Sequence, residues 1–269
     1  MADNFPQILI FGCGNMGSAM LHGWLAAGVA PEKFVIVDPV AGALPEGVKL
    51  YRSASELRGT FGTALLGVKP QMLPSLAPDV ARLLAPFALV ISILAGTQTD
   101  TLSSHFQAAR ILRLMPNLAA AIGKSPLGLF SSQLDQAARE EVGAMFAGLG
   151  TPIWLEEESQ MDAVTALSGS GPAFVYRFID ALAQGGAAAG LPPAVAARMA
   201  MAMAEGAVAL AAGSPESPAE LAARVTSPGG TTAAGLAILD QDQALQTLVE
   251  ATLCAARDRG AELAKGDVS

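Results

Sequence analysis

Residues 7–17 read Gln-Ile-Leu-Ile-Phe-Gly-Cys-Gly-Asn-Met-Gly, an apolar run that ends in three glycines spaced GxGxxG and passes into a helical pattern. A strand, a glycine loop and a helix in that order form the context in which this spacing means a dinucleotide site. Gly12 permits the tight turn, Gly14 lets a pyrophosphate approach the backbone, and Gly17 allows close packing of helix on strand. The helix opening at Asn15 offers unpaired N–H groups and the positive end of its dipole to phosphate. Cys13 and Met16 complete the loop, Cys13 being small enough to pack there. Asp38 stands 38 − 17 = 21 residues beyond the last glycine, after a second apolar run, Phe34–Val37. An acid at that distance commonly takes the adenosine ribose hydroxyls of NAD and would repel the 2′-phosphate of NADP. Asp38 reads equally as a solvated turn residue before Pro39, and Arg52 is a candidate for the 2′-phosphate. The coenzyme is thus NADPH or NADH.

Outward from this loop the first half of the chain alternates. Gln7–Phe11, Phe34–Val37, Thr63–Val68, Leu89–Ile93 and Arg110–Leu114 are apolar runs of strand length, with helix-like Asn15–Ala27 and Pro74–Leu84 between them. Such alternation predicts a parallel α/β sheet buried on both faces. Pro39–Lys49, with Pro39, Gly42, Pro45 and Gly47, cannot hold a full crossover helix. After a last strand at Thr151–Leu155 the strand signals stop. Met161–Leu167, Ala173–Ala189, Val195–Ala212, Glu220–Val225, Thr232–Leu239 and Ala244–Leu263 read as helices punctuated by Gly and Pro. Alanine shifts with them, 23 in residues 1–150 against 30 in residues 151–269, and Glu156-Glu157-Glu158 sits near the change. The expected organisation is a Rossmann-type dinucleotide-binding domain over 1–158 and an all-α domain over 159–269, with the active site between them.

Composition excludes several classes. Of 269 residues 52% are hydrophobic and 15% charged, which is incompatible with a disordered chain. The balance of 16 Lys+Arg against 24 Asp+Glu gives −8, with no basic run, a poor match for nucleic acid or an anionic membrane. Two cysteines, Cys13 and Cys254, without a CxxC pair, and two histidines, His22 and His105, predict no metal site and no disulfide framework. Mean hydropathy is +0.43, so a membrane span has to be considered. The uncharged apolar stretches Leu83–Thr99 and Ala181–Ala197 hold 17 residues each and are broken by Pro and Gly, short of the roughly 20 a span needs. Met1-Ala-Asp-Asn-Phe lacks the basic region of a signal peptide. The expected location is the cytoplasm.

Further motifs follow in order: Val68-Lys69-Pro70-Gln71, Ile91-Ser92-Ile93-Leu94-Ala95-Gly96, Arg113-Leu114-Met115-Pro116-Asn117, Ser168-Gly169-Ser170-Gly171-Pro172-Ala173 and Val225-Thr226-Ser227-Pro228-Gly229-Gly230-Thr231-Thr232. With Gly12–Gly17 this series resembles the pyrroline-5-carboxylate reductases, which perform the last step of proline synthesis, from Ile8 to about Leu239. The last block is the most diagnostic. The family usually carries Thr after the Asn of the third block, where this chain has Leu118.

The resemblance implies that Ser227, Gly229, Gly230, Thr231 and Thr232 form the substrate loop. The residues make chemical sense of that, because a helix starting near Thr231 presents free N–H groups to a carboxylate without any arginine. Ser227 donates its hydroxyl to the same carboxylate, and Thr232, the candidate catalytic residue, contacts the ring nitrogen. The reaction implied is hydride transfer from nicotinamide C4 to C5 of the cyclic imine, giving L-proline. An imine that arrives protonated needs no acid from the protein, consistent with the absence of His, Asp or Glu from the loop. Val68, Lys69 and Pro70 end a strand where coenzyme lies in such sheets, and Ala95 and Gly96 are small where the nicotinamide passes. Each has a plain alternative: Lys69 as a loop charge, Ala95-Gly96 as a simple turn. Arg224 either touches a coenzyme phosphate or is merely exposed. His22 and His105 read as surface or packing residues, Cys254 as a buried helix residue, and Met199, Met201 and Met203 as core filler.

The family also implies a homodimer whose C-terminal helices interleave, and possibly a larger assembly of dimers. The Ala, Gly and Met faces of Ala173–Ala212 suit close helix approach, although a monomeric bundle has the same composition. Two rivals to the reductase reading stand. A related β-hydroxyacid or imine dehydrogenase of the hydroxyacid type needs a base, usually lysine, and there is no lysine between Lys124 and Lys265. A non-catalytic dinucleotide sensor would not need the Ser227–Thr232 loop.

Overall fold

The computed structural model describes residues 5–264, with side chains placed through Glu262. The stretch Met1–Asn4, which holds most of the segment compared with a signal peptide, and residues 265–269, with Lys265, lie outside the described residues. The chain forms two compact units, one comprising the chain through Gly169 together with the segment from Ala256 onward, the other Ser170–Ala255.

The first unit is built on an eight-stranded sheet. Its elements run β1 (Ile8–Phe11), α1 (Asn15–Ala26), β2 (Phe34–Val37), β3 (Lys49–Tyr51), β4 (Phe61–Leu66), α2 (Leu73–Arg82), β5 (Leu84–Ser92) and α3 (Thr99–His105). There follow β6 (Arg110–Met115), β7 (Ser125–Phe130), α4 (Gln136–Phe146), β8 (Gly150–Trp154) and α5 (Gln160–Val164), which continues into a π-helical turn, Thr165–Gly169. The spatial order is β3-β2-β1-β4-β5-β6-β7-β8. From β1 the chain winds first toward β3 and then crosses to β4 on the other side, so a crevice opens beyond the carboxyl ends of β1 and β4.

The alternation of β1 explains the burial. Ile8 and Ile10 join one apolar cluster with Trp24 and Phe34, whereas Leu9 and Phe11 join a second with Val35 and Val80. All four residues are fully or almost fully buried, as a strand covered on both faces requires. Trp24 stacks on Phe34 and Phe146 at 5.5 and 5.9 Å between centroids, and its Nε1–H donates to Met145 O at 2.9 Å. That bond satisfies the one polar atom of the largest buried side chain.

Two strands escaped the periodicity. β3 is three residues long and half-exposed, and β7 contains Pro126 and Gly128, which weaken any strand pattern. The second correction is one of direction, since β7 runs antiparallel to β6 before β8 pairs parallel to it. Pro39–Lys49 holds no helix, as its prolines and glycines require.

The second unit is helical: α6 (Gly171–Ala188), α7 (Pro193–Ala212), α8 (Pro218–Arg224), α9 (Thr231–Leu239) and most of α10 (Ala244–Ala264). Proline opens α6, α7 and α8, and of the helices α6 to α9 only α8 has a side-chain cap, the reciprocal capping box of Ser217 and Glu220. Only Ala196 and Ala200 of α7 are buried, while Val175, Tyr176, Val208, Leu210 and Ile238 are exposed. Met199, Met201 and Met203, expected in a core, are more than half exposed, and Cys254 is half-buried. The reason is that α7 is apolar around most of its circumference and the chain itself covers only one side of it. Among the described residues α7 is also the one helix long and apolar enough to cross a membrane by length and composition.

Candidate active site

The glycine loop shows why each glycine is needed. Gly12 has φ +88°, and a Cβ there would lie 2.7 Å from Gly67 O. A Cβ on Gly17 would lie 2.5 Å from Gly12 O, so α1 docks on the loop only without a side chain. At Gly14 an added Cβ meets no protein atom within 4 Å. Gly14 is therefore open toward solvent, and its missing side chain leaves room for a ligand rather than for the fold. Gly67 N–H donates to Phe11 O at 2.7 Å, tying the ends of β1 and β4 together at the crevice.

Asp38 is buried and turned inward. Its Oδ2 accepts from Cys13 N–H at 2.7 Å, and its Oδ1 accepts from Val40 and Ala41 N–H at 2.8 Å each. The carboxylate thus holds the glycine loop and the turn after β2 in register with each other. Arg52 Nη1 braces the same turn from outside, donating to Ala41 O at 2.7 Å and Asp38 O at 3.2 Å. Burial, then the nearby Asp38 charge, pushes the Cys13 thiol up to about 11, so at neutral pH it is a packing group and not a nucleophile.

A cavity of 620 Å³ lies over this loop, lined by Gly14, Asn15, Ser18, Asp38, Val40 and Leu118 among others. Open Gly14, the unpaired first amides of α1 and this volume fit the pyrophosphate and adenosine side of a nicotinamide dinucleotide. Leu118 is exposed on the cavity rim and His22 lines it, with its ring Nδ1 2.7 Å from Ser18 O. Met16 packs against the core beneath. Lys69 is exposed and leads into a short 3-10 turn begun by Pro70, with Val68 half-buried before it. Ala95 is exposed at the tip of the turn after β5, and Gly96 adopts φ +72° there.

Asn117 is buried. Its Oδ1 accepts from Ala119 N–H at 2.9 Å, and its Nδ2 donates to Ser168 O at 3.0 Å, anchoring the π-helical turn to the end of β6. Ser168 in turn donates to Pro126 O at 3.3 Å. Residue order alone does not reveal one part-buried cluster. Glu158 accepts from both the amide and the hydroxyl of Thr99 and from Arg113. The acidic run at 156–158 was the only signal for it.

In the second unit the loop before α9 has its own logic. Gly230 N–H donates to Ser227 O at 3.0 Å, and Gly229 takes φ +69°. A Cβ on Gly230 would collide with Ser227 Oγ, so this glycine serves by its size while its amide is already paired. α9 opens with no acidic residue in its first turn, and its first acceptor bond is Ala234 N–H to Gly230 O. The amides of Thr231, Thr232 and Ala233 precede that bond, beside the exposed hydroxyls of Ser227 and Thr232. Arg224 forms an ion pair with Glu216, so a coenzyme phosphate would have to displace that carboxylate.

A largely parallel sheet, a switch-point crevice and a glycine loop mark the dinucleotide-binding class to which nicotinamide-dependent oxidoreductases belong, here followed by a helical second unit. Residues 158–263 match the family model for pyrroline-5-carboxylate reductase dimerisation, and residues 7–96 match that for NADP oxidoreductase, coenzyme F420-dependent. The chain is 35% identical over 269 residues to the pyrroline-5-carboxylate reductase of Pseudomonas aeruginosa, covering 97% of each. It is 36% identical over 268 residues to that of Synechocystis, covering 96% of this chain and 98% of the relative. Among solved structures, the pyrroline-5-carboxylate reductase of Coxiella burnetii superposes with a TM-score of 0.88 at 28% identity, over 97% of this chain and 99% of that one. The Plasmodium falciparum pyrroline carboxylate reductase, solved with NADP bound, gives 0.83 at 26% identity over 98% and 99%. The chain belongs to the pyrroline-5-carboxylate reductase family.

Proposed function

We propose that the chain reduces 1-pyrroline-5-carboxylate to L-proline, the last step of proline biosynthesis, as an NAD(P)H-dependent enzyme. The observation that carries the substrate side is the Ser227–Thr232 loop. It combines hydroxyls, free helix-start amides and no carboxylate of its own, which suits a small carboxylate bearing a polar ring.

Gly12, Cys13, Gly14, Asn15, Met16 and Gly17 would hold the pyrophosphate, and Asp38 would set the shape of the ribose side by fixing the loop. Val68, Lys69 and Pro70 would border the coenzyme, and Ala95 and Gly96 would leave space for its nicotinamide. Bound coenzyme supplies the hydride that adds to C5 of the imine. The chain's own contribution is orientation and charge placement. Ser227 and the amides of Thr231 and Thr232 take the substrate carboxylate, Gly229 and Gly230 keep that space clear, and the Thr232 hydroxyl bonds the ring nitrogen. A protonated imine already carries the proton that becomes the amine N–H, so hydride and iminium balance without an acid from the protein.

The exposed apolar sides of α7 and α9 lie within the segment matched to a dimerisation model, and the enzyme works as a homodimer. We place this dimer in the cytoplasm, with α7 covered by protein rather than lipid, and with the functional boundary of the coenzyme domain at 158. The test is NAD(P)H oxidation by purified protein with pyrroline-5-carboxylate. Turnover with this imine supports the reading; oxidation of 3-hydroxy acids instead, or coenzyme binding without turnover, rejects it.

A further inference from the structure

The segment following β5 is a tight turn with a buried base. Thr97 N–H donates to Leu94 O at 3.3 Å, and Leu94 and Thr97 are buried while Ala95 faces out. α3 starts two residues later at Thr99, but its N-cap residue, Gln98, makes no side-chain cap. The cap comes from far along the chain. Glu158 Oε1 accepts from Thr99 N–H at 2.7 Å and Oε2 from the Thr99 hydroxyl at 2.6 Å. Arg113, its side chain 5% exposed, donates from Nη1 to the same Oε1 at 2.8 Å. Arg113 lies on β6 opposite Ser92, the last residue of the strand that runs into the turn.

A part-buried ion pair contributes little net stability compared with apolar packing. Three charge-assisted bonds converging on one carboxylate do fix position well. We infer that Glu158 is a positioning residue for hydride transfer: braced by Arg113, it locks Thr99 and so the Ala95–Thr97 turn that borders the nicotinamide. The inference rests on the assignment of Ala95 and Gly96 to the nicotinamide made above.

The test separates positioning from stability. Glu158→Ala alone strands the buried Arg113 charge, so the main variant is the double E158A/R113M, which removes both charges of the pair. In the full-length protein this variant is expected to fold, and to bind a coenzyme fragment lacking nicotinamide (2′,5′-ADP or ADP-ribose) within about twofold of wild type. Amide exchange over residues 94–99 rises in the ligand-free protein. The kcat/KM for coenzyme falls about 10- to 100-fold, the cost of a small misplacement of reacting groups. The primary isotope effect with 4-deuterated coenzyme rises as hydride transfer slows. Unchanged exchange and kcat/KM in a folded double variant overturn the inference. Should the double variant not fold, Thr99→Val keeps the amide and loses one bond, and the same readouts must move in the same direction; no movement again overturns it. Ala95→Leu tests the underlying assignment. If A95L leaves coenzyme KM and kcat intact, the nicotinamide lies elsewhere and both readings fall. If A95L blocks the coenzyme while E158A/R113M behaves as wild type, only the role of Glu158 falls.

Discussion

The amide of Cys13 donates a 2.7 Å hydrogen bond to Oδ2 of Asp38, 25 residues away. The acid that follows the second strand therefore shapes the glycine loop from within. Asp38→Asn keeps only one acceptor oxygen and turns an NH2 group toward backbone donors. A lost bond to a buried charged group costs on the order of 1–3 kcal/mol. Thermal unfolding should show this loss, together with a raised KM for whichever coenzyme the enzyme uses. A variant with unchanged stability would mean that the carboxylate is not held as described.

Gly12 and Gly14 should separate fold from ligand. Gly12→Ala forces a side chain into φ +88° and against Gly67 O, so it should lower the melting temperature. Gly14→Ala meets no protein atom, so it should melt with wild type yet weaken coenzyme binding at least tenfold by fluorescence titration.

Thr232 should matter for turnover and not for coenzyme affinity. Thr232→Val removes the hydroxyl at constant shape, and kcat should drop about 10-fold or more for one bond strengthened in the transition state. Thr232→Ser should recover most of the loss. A near-normal kcat in T232V removes Thr232 from the catalytic account.

Acid should probe the Glu158 cluster. Burial raises the Glu158 carboxyl, but the hydroxyl of Thr99, Arg113 and the Thr99 amide together hold it below its ordinary value of 4.5. A depressed folded-state value means that the contribution to stability is present above the ordinary value and is lost as pH falls through the lower one. Wild-type melting temperature should thus fall more steeply between about pH 5 and pH 3 than that of E158Q. Parallel slopes would remove Glu158 from the linkage.

The exposed face of α7 should be an interface. Leu210 is 74% exposed in the single chain. Leu210→Asp should shift the sedimenting species toward monomer at micromolar concentration and lower activity with it.

The dinucleotide unit was legible because strands buried on both faces write continuous apolar runs, and because backbone contacts demand Gly12 and Gly17 while Gly14 leaves open space over the loop. β7 was not legible, since Pro126 and Gly128 interrupt its pattern and antiparallel pairing is settled by neighbours rather than by period. Asp38 was found by spacing, but its inward orientation depends on the amides of Val40 and Ala41, which no spacing rule contains. Met199, Met201 and Met203 were placed in a core because apolar residues in a helix signal burial without saying by which chain. Arg113, Thr99 and Glu158 meet only through the tertiary fold.

The most direct test of the central claim follows the hydride. The purified protein is given pyrroline-5-carboxylate and coenzyme deuterated at nicotinamide C4 on the transferred face, and the product is analysed by mass spectrometry and NMR. The account predicts L-proline carrying one deuterium at C5, formed in step with coenzyme oxidation. Proline without that label, or coenzyme oxidation without proline, would contradict it.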